Sequence, residues 1–220
     1  MAVEWTEFLP EVMLDVSGCP DQVAINAVKQ SAIEFCNQSR VWREQLSDLV
    51  TAQSDPDYPL DSLVPTDSEV LGVHKLQHND LSKPLSTIAK QQLDIYRLTD
   101  TEEKPYYFNN DTPMIVRLYP TPNAIYTMFI WAHLKPTKLS TSGPDFLYND
   151  WLEPIAHGAK ARLKSMSGRQ WMDKSMVRHH RREFINGWTE ARIRDSKSNI
   201  QAGTVPVPRP FGIYRNRNWW

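Results

Sequence analysis

Trp151-Leu152-Glu153-Pro154-Ile155-Ala156-His157-Gly158-Ala159-Lys160-Ala161-Arg162-Leu163-Lys164-Ser165-Met166 sets Leu152, Ile155, Ala156, Ala159, Leu163 and Met166 three and four residues apart. That is the spacing of one face of an α-helix. Pro154 predicts a kink or a restart near the beginning of this helix, and Gly168 is a natural stop. Just beyond it, Asp173 is placed to cap a second long helix whose apolar stripe runs Val177, His180, Phe184, Trp188 and Ala191, ending near Ser196. Arg and Lys crowd the opposite face. Gly158 and Gly187 weaken a helix, so their presence predicts close helix approach at those points. Gly158, Phe184, Gly187 and Trp188 are therefore the expected helix-packing residues.

A third helix is written near the other end of the chain. Gly18-Cys19-Pro20-Asp21 reads as a turn, with Pro near the first helical position and an acid in the first turn. Ala24, Ala27, Val28, Ala32, Phe35 and Cys36 follow at helical spacing, leaving Lys29, Gln30 and Glu34 for solvent or a neighbour, and the helix is expected to end near Ser39. Upstream, Trp5, Phe8, Leu9, Val12 and Leu14 form a weaker pattern, expected as a short helix broken by Pro10. Between Val41 and about Ser142 the texture changes to short Val, Ile, Tyr and Phe runs punctuated by Pro, Asp and Ser, the mark of strands and loops. Its clearest unit is Met114 to Tyr119, then Pro120-Thr121-Pro122-Asn123, then Ala124 to Leu134, which predicts a hairpin around a four-residue turn. Ser86 to Leu98, with Ile88, Leu93 and Ile95, fits neither period.

Lys197 to Trp220 shows neither period. Pro206, Pro208 and Pro210 favour an extended, polyproline-like backbone, so these 24 residues read as an arm. Ordering such a segment costs about 1 to 2 kcal/mol of backbone entropy per residue. Val205, Val207, Phe211, Ile213, Tyr214, Trp219 and Trp220 each return about 1.5 to 3 kcal/mol when buried, and they are too few. The arm is thus expected to be ordered only where a partner also supplies backbone hydrogen bonds. Packing back on its own domain, and stacking on nucleic acid through Arg209, Arg215 and Arg217, are the alternatives.

With 220 residues, of which 40% are hydrophobic, the chain can bury a sizeable core. Its longest apolar stretch, Ala124 to Leu134, is about half of the roughly 20 residues of a membrane-spanning helix, so no membrane is expected. Met1 to Glu7 lacks the basic start and apolar segment of a secretory signal, which predicts synthesis and residence in the cytoplasm. Cys19 and Cys36 are expected as free thiols, Cys36 buried within its helix. The net charge of -1 conceals a gradient: residues 1 to 110 carry 8 Lys+Arg against 18 Asp+Glu, a net of -10, and residues 111 to 220 carry 17 against 8, a net of +9. Acidic and basic ends suit head-to-tail neighbours, or pairing within one subunit.

Catalytic motifs do not emerge. None of the eight glycines builds a G-x-x-x-x-G-K or G-x-G-x-x-G loop, and there is no G-x-S-x-G, H-E-x-x-H or C-x-x-C. His74 and His78 would share a metal on a helix, but Val70, Leu71 and Val73 favour a strand, where the rings stand about 13 Å apart. His180 is expected in the core and His179 on the charged face. His157 reads as a packing or interface residue and not a catalytic base, with no partner nameable from the sequence. No enzyme activity, cofactor or metal is expected.

Taken in order, Leu14, Gly18-Cys19-Pro20, Ala27, Ala32, Glu34-Phe35-Cys36, Ser39, Trp42 and Leu118-Tyr119-Pro120-Thr121-Pro122 resemble the head-to-tail adaptor (tail tubular, or head completion) proteins of tailed bacteriophages. Trp151, Ile155-Ala156-His157-Gly158-Ala159, Leu163, Gly168, Trp171, Phe184 and Gly187 resemble that family's two closing helices. The resemblance covers residues 3 to 196. It implies an α+β fold, with a helical domain built from both chain ends (1–40 and 144–196), an inserted β-sheet domain (41–143) and an extended C-terminal arm (197–220). It further implies a homo-oligomeric ring of twelve copies in the virion neck, between the portal protein and the next tail component, a nozzle or tail tube, with DNA passing through the lumen without sequence recognition. The arm, through Val205, Val207, Arg209, Phe211, Ile213, Tyr214, Arg215, Trp219 and Trp220, is the expected portal-docking element. Another neck or tail component, such as a stopper or tail terminator, and a nucleic-acid-associated enzyme remain the alternative readings.

Overall fold

The computed structural model describes residues 2–80, 83–89, 91–92 and 101–196. The fold is α+β. Helix α2 (Asp21–Ser39) starts directly after an extended Pro20 and stops at Arg40, whose left-handed backbone (φ 55°) turns its N–H onto the Cys36 carbonyl. Ala24, Ala27, Val28, Ala32, Phe35 and Cys36 are all buried, as their spacing predicts, and so are Ser31 and Ser39. The two hydroxyls donate to the carbonyls of Ala27 (2.8 Å) and Phe35 (2.7 Å), so these small polar residues bury no unpaired group.

Ahead of α2, a 3₁₀ turn over Trp5–Phe8 leads into the short helix α1 (Leu9–Met13). Pro10 does not break it. The proline lies in the first turn, where a missing N–H has no intrahelical acceptor to lose, so it starts the helix. Leu14 falls outside the apolar face and is 78% exposed.

Helix α3 (Asp145–Lys164) is bent. Trp151 has a non-helical backbone (φ −130°, ψ 21°), three residues before Pro154. The proline ring would strike the carbonyl one turn back, so the break falls there and not at Pro154 itself. Helix α4 (Lys174–Ser196) is capped by Asp173, whose carboxylate accepts from the N–H of Ser175 (3.1 Å) and Met176 (3.4 Å). His180, Phe184, Gly187 and Ala191 form its buried stripe, and Val177 and Trp188 are half-buried. α3 and α4 pack on each other along most of their length, and both pack on α2.

The main sheet is centred on β11 (Thr127–Pro136). β5 (Ser68–His78) lies antiparallel on one side, and β2 (Arg43–Gln45) and β3 (Leu49–Val50) lie end to end on the other. Alternate residues Met128, Ile130, Ala132 and Leu134 of β11 are fully buried, and this strand lies against α2. A second sheet runs β4 (Asp57–Pro59), β9 (Ile115–Tyr119), β8 (Tyr107–Asn109), β6 (Ser86–Thr87). β9 and β11 are therefore not a hairpin. Pro120 and Pro122 have no N–H to give to a ladder. The link between them, β10 (Thr121–Pro122), pairs instead with β7 (Glu102–Glu103), and the chain passes into a different sheet. Leu93, Ile95 and Leu98 lie outside the described residues.

The two chain regions meet at a seam. β1 (Ala2–Glu4) pairs antiparallel with β12 (Ser142–Pro144), and the Trp5 indole donates to Ser140 Oγ (3.2 Å) while its ring lies over Gly143, where a Cβ would come within 2.5 Å of it. A single connected cluster of buried apolar side chains runs from these helices into both sheets.

Gly187 tests the packing. A Cβ there would lie 2.4 Å from Pro154 Cβ and 2.6 Å from its Cγ. On an exposed helix, Gly→Ala stabilises by about 1 kcal/mol. Here Gly187→Ala is expected to destabilise by about 1–3 kcal/mol, because the rigid proline cannot move aside. Chemical denaturation checks the sign.

Candidate functional site

The helical layer is set by the close approach of α3 to α4. Gly158 of α3 faces Phe184 of α4, and a Cβ there would lie 2.9 Å from the ring and 3.0 Å from Ser31 Cβ of α2. The three helices touch at one point. The Phe184 ring stands edge-on to Trp188 (4.8 Å) and lies 6.3 Å from Phe35. The Arg181 guanidinium covers both α4 aromatics, 5.5 Å from Phe184 and 5.2 Å from Trp188. Gly158 and Phe184 meet across the α3–α4 contact, Gly187 lies against Pro154, and Trp188 packs on Phe184 of its own helix. The arm residues Val205, Val207, Arg209, Phe211, Ile213, Tyr214, Arg215, Trp219 and Trp220 lie outside the described residues.

Part of the charge gradient is met inside the subunit. Glu34 of α2 accepts from Arg162 of α3 and from Arg181 of α4 (2.7 Å), joining the acidic part of the chain to the basic part. Burial works to raise the Glu34 carboxyl, but the hydrogen bonds and charges of Arg181 and Arg162 hold it below the usual range. Lys160, only 4% exposed, reaches Asp15 (2.8 Å) and Glu11 (3.3 Å), and its hydrogen bond holds the Asp15 carboxyl down. Arg43 of β2 pairs with Asp195 in the last turn of α4 (2.8 Å). Sequence reading left Glu34 to solvent or a neighbour, and nothing along the chain says which of the many bases it would meet.

His157 has a partner after all. Its Nδ1 lies 2.8 Å from Nδ1 of His180 across the α3–α4 contact, a bond that requires one neutral ring as acceptor. His180 is buried, and burial, with His157 and Lys164 nearby, pushes it down to about 4. Burial, with Lys160 and His179, also lowers His157. His179 is exposed, as the helical spacing predicts. The pair was not visible in sequence because its members are separated by a turn and lie on different helices.

His74 and His78 do not come together. Lys75 pairs with Trp131 and Val73 with Ala132, so His74 is the extra residue of a β-bulge. It is exposed beside His133 (ring centroids 5.3 Å), whereas His78 is buried against Tyr126 (4.8 Å). Cys19 and Cys36 are buried free thiols, and burial pushes Cys36 up to about 12. Among the described residues, no three or more His, Cys, Asp or Glu side chains are grouped to hold a metal ion, and no helix is long and apolar enough to cross a membrane. A cleft of about 660 Å³ opens between β2 and the helices, walled by Trp42, Phe146 and Trp151 and rimmed by Arg43, Asp150 and Arg194. It lies where α4 ends.

A helical layer joined by ion pairs from both parts of the chain is seated on a sheet. The family model described as SU10 adaptor protein matches residues 5–208, and the chain belongs to that family of phage structural adaptors. No curated protein matches it significantly.

The histidine pair sets an acid response. Both rings titrate lower when folded than when unfolded, so the unfolded chain takes up protons first as pH falls. Their contribution is complete above about 6.5, the ordinary histidine value, and declines as pH falls toward the His180 value of about 4. Asp15 and Glu34, held below their ordinary values, add their loss only at the acid end of that range. The melting temperature is expected to fall between pH 6.5 and 4.5. Removing the buried ring with His180→Leu should make that part of the profile shallower, measured by differential scanning fluorimetry, with the remaining slope carried by His157 and by His74, His78 and His133, which burial also lowers.

Proposed function

We propose that this chain is the subunit of a ring of twelve copies in the virion neck that joins the portal protein to the next tail component, a nozzle or tail tube. On this reading DNA passes through the ring's lumen without sequence recognition. The observation that carries it is the adaptor family match across residues 5–208. The functional division follows the chain: residues 1–40 and 144–196 form the helical unit, and 41–143 form the sheet unit that faces the tail. The pairing of β1 with β12 and the seat of Trp5 on Gly143 support that division, since they join the first residues to the return from the sheets.

The arm, residues 197–220, is the portal-docking element through its Val205, Val207, Phe211, Ile213, Tyr214, Trp219 and Trp220 anchors, with Arg209 and Arg215 between them. Its composition supports this role, because Pro206, Pro208 and Pro210 favour an extended backbone and its apolar residues follow neither helical nor strand spacing. Its starting point also supports it. Asp195, at the end of α4, is tied to Arg43 at the sheet edge, so the arm leaves from a fixed place on the body.

Deleting residues 197–220 is expected to abolish binding to the portal ring in a pull-down while leaving the melting temperature of the body unchanged. Normal portal binding by the truncated protein would refute the docking role. The free full-length subunit should be largely monomeric by light scattering, with rings forming on the portal. Stable twelve-copy rings of isolated protein would contradict templated assembly.

A further inference from the structure

Two of the exposed patches combine charges of one sign, left outside the ion pairs within the subunit, with apolar side chains. The first is the outward face of α4. Arg178, Arg182, Ile185, Thr189, Arg192 and Ile193 follow one another at helical spacing, and all are exposed, Ile185 by 39% and Ile193 by 49%. Arg178 and Arg192 have no ion-pair partner among the described residues. The face therefore combines unneutralised positive charge with apolar side chains. From Arg178 to Ile193, at 1.5 Å per helical residue, the face is about 24 Å long.

The second patch lies at the start of the chain. Glu4, Glu7, Glu11, Asp15 and Asp21 are the acids of the first 28 residues, which contain no Lys or Arg. Lys160 takes Glu11 and Asp15. Glu4, Glu7 and Asp21 are exposed with no ion-pair partner among the described residues, and Leu14 stands 78% exposed among them. The two patches do not neutralise one another within a subunit: α1 and α4 each pack on α2 and α3, and no base on the outward face of α4 reaches Glu4, Glu7 or Asp21.

A closed ring of more than two copies is held by heterologous contacts, in which two different patches of the same chain meet around the circle. Those patches must complement each other in charge and in apolar content. We infer that the outward face of α4 on one copy docks on the acidic Glu4–Asp21 segment of the next copy, with Leu14 as the apolar contact. This inference rests on the ring reading above. The bases of the α4 face then meet the exposed acids Glu4, Glu7 and Asp21 across the boundary, and Leu14 meets the apolar side chains of the same face.

A charge-swap series on the full-length chain tests it, counting rings on the portal of the same phage by negative-stain electron microscopy. Arg178→Glu with Arg192→Glu sets acid against acid at every boundary, and Glu4→Lys with Glu7→Lys sets base against base. Each double variant should cut ring yield by roughly ten-fold or more. An equimolar mixture of the two, and a chain carrying all four changes, should recover it. All of the changed side chains are exposed, and an unaltered melting temperature confirms that the body is intact. If wild-type chain forms no ring on the portal, the ring reading falls and this interface falls with it. If wild-type rings form and the double variants form them equally well, the interface alone is wrong. Loss with the α4 variant but not with the acidic-segment variant would mean that the basic face meets another polyanion, such as nucleic acid, and would also overturn the assignment.

Discussion

Two side chains that are absent set the geometry of the helical layer. At Gly158 the α3 backbone comes close enough to α4 and α2 that a single methyl group would collide with Phe184 and Ser31, and at Gly187 the α4 backbone comes closer still to Pro154. This contact is contiguous with the rest of the core. Phe184 touches Phe35 of α2, Phe35 touches Trp151 at the bend of α3, and α2 in turn lies on β11. Each glycine costs helix stability locally, and the interdigitation it permits places Phe184 and Trp188 where Arg181 can cover them.

The electrostatic design follows from that packing. An acidic start and a basic end would repel or attract neighbours indiscriminately if both stayed in solvent. Instead Glu34 draws Arg162 and Arg181 to itself, and Lys160 is buried between Glu11 and Asp15. A buried ion pair contributes modestly to net stability, but removing one partner leaves an uncompensated charge, so such contacts specify one arrangement of the helices over others. The His157–His180 bond belongs to the same layer and adds a proton-dependent element to it. Arg178 and Arg192 on α4, and Glu4, Glu7 and Asp21 on the N-terminal segment, stay exposed outside these pairs, so opposite charges sit on separate elements.

Much of this fold was legible along the chain. The spacing of Ala24 through Cys36, the Asp173 cap, the Gly158 and Gly187 contacts and the bend ahead of Pro154 are local consequences of periodicity, capping chemistry and proline sterics, and they depend on only a few neighbouring residues. Where reading failed, the deciding partner was distant or a local rule had two solutions. Pro10 can break a helix or begin one, and which occurs depends on where the first turn falls. Met114 to Leu134 has the pattern of a hairpin, yet the ladder partners of its two strands are β4 and β8 on one side and β2, β3 and β5 on the other.

By itself, then, the sequence determined the helices, their caps and their apolar stripes, the β texture of the middle, and an adaptor resemblance that the family match across residues 5–208 supports. Tertiary structure alone decided which strands pair, which base answers Glu34, that His157 meets His180, and which charges stay exposed on α4 and on the N-terminal segment. The division has a physical cause. Helical spacing and capping act over three or four residues, whereas strand pairing and ion pairing are chosen among all groups that the folded chain brings within a few ångströms.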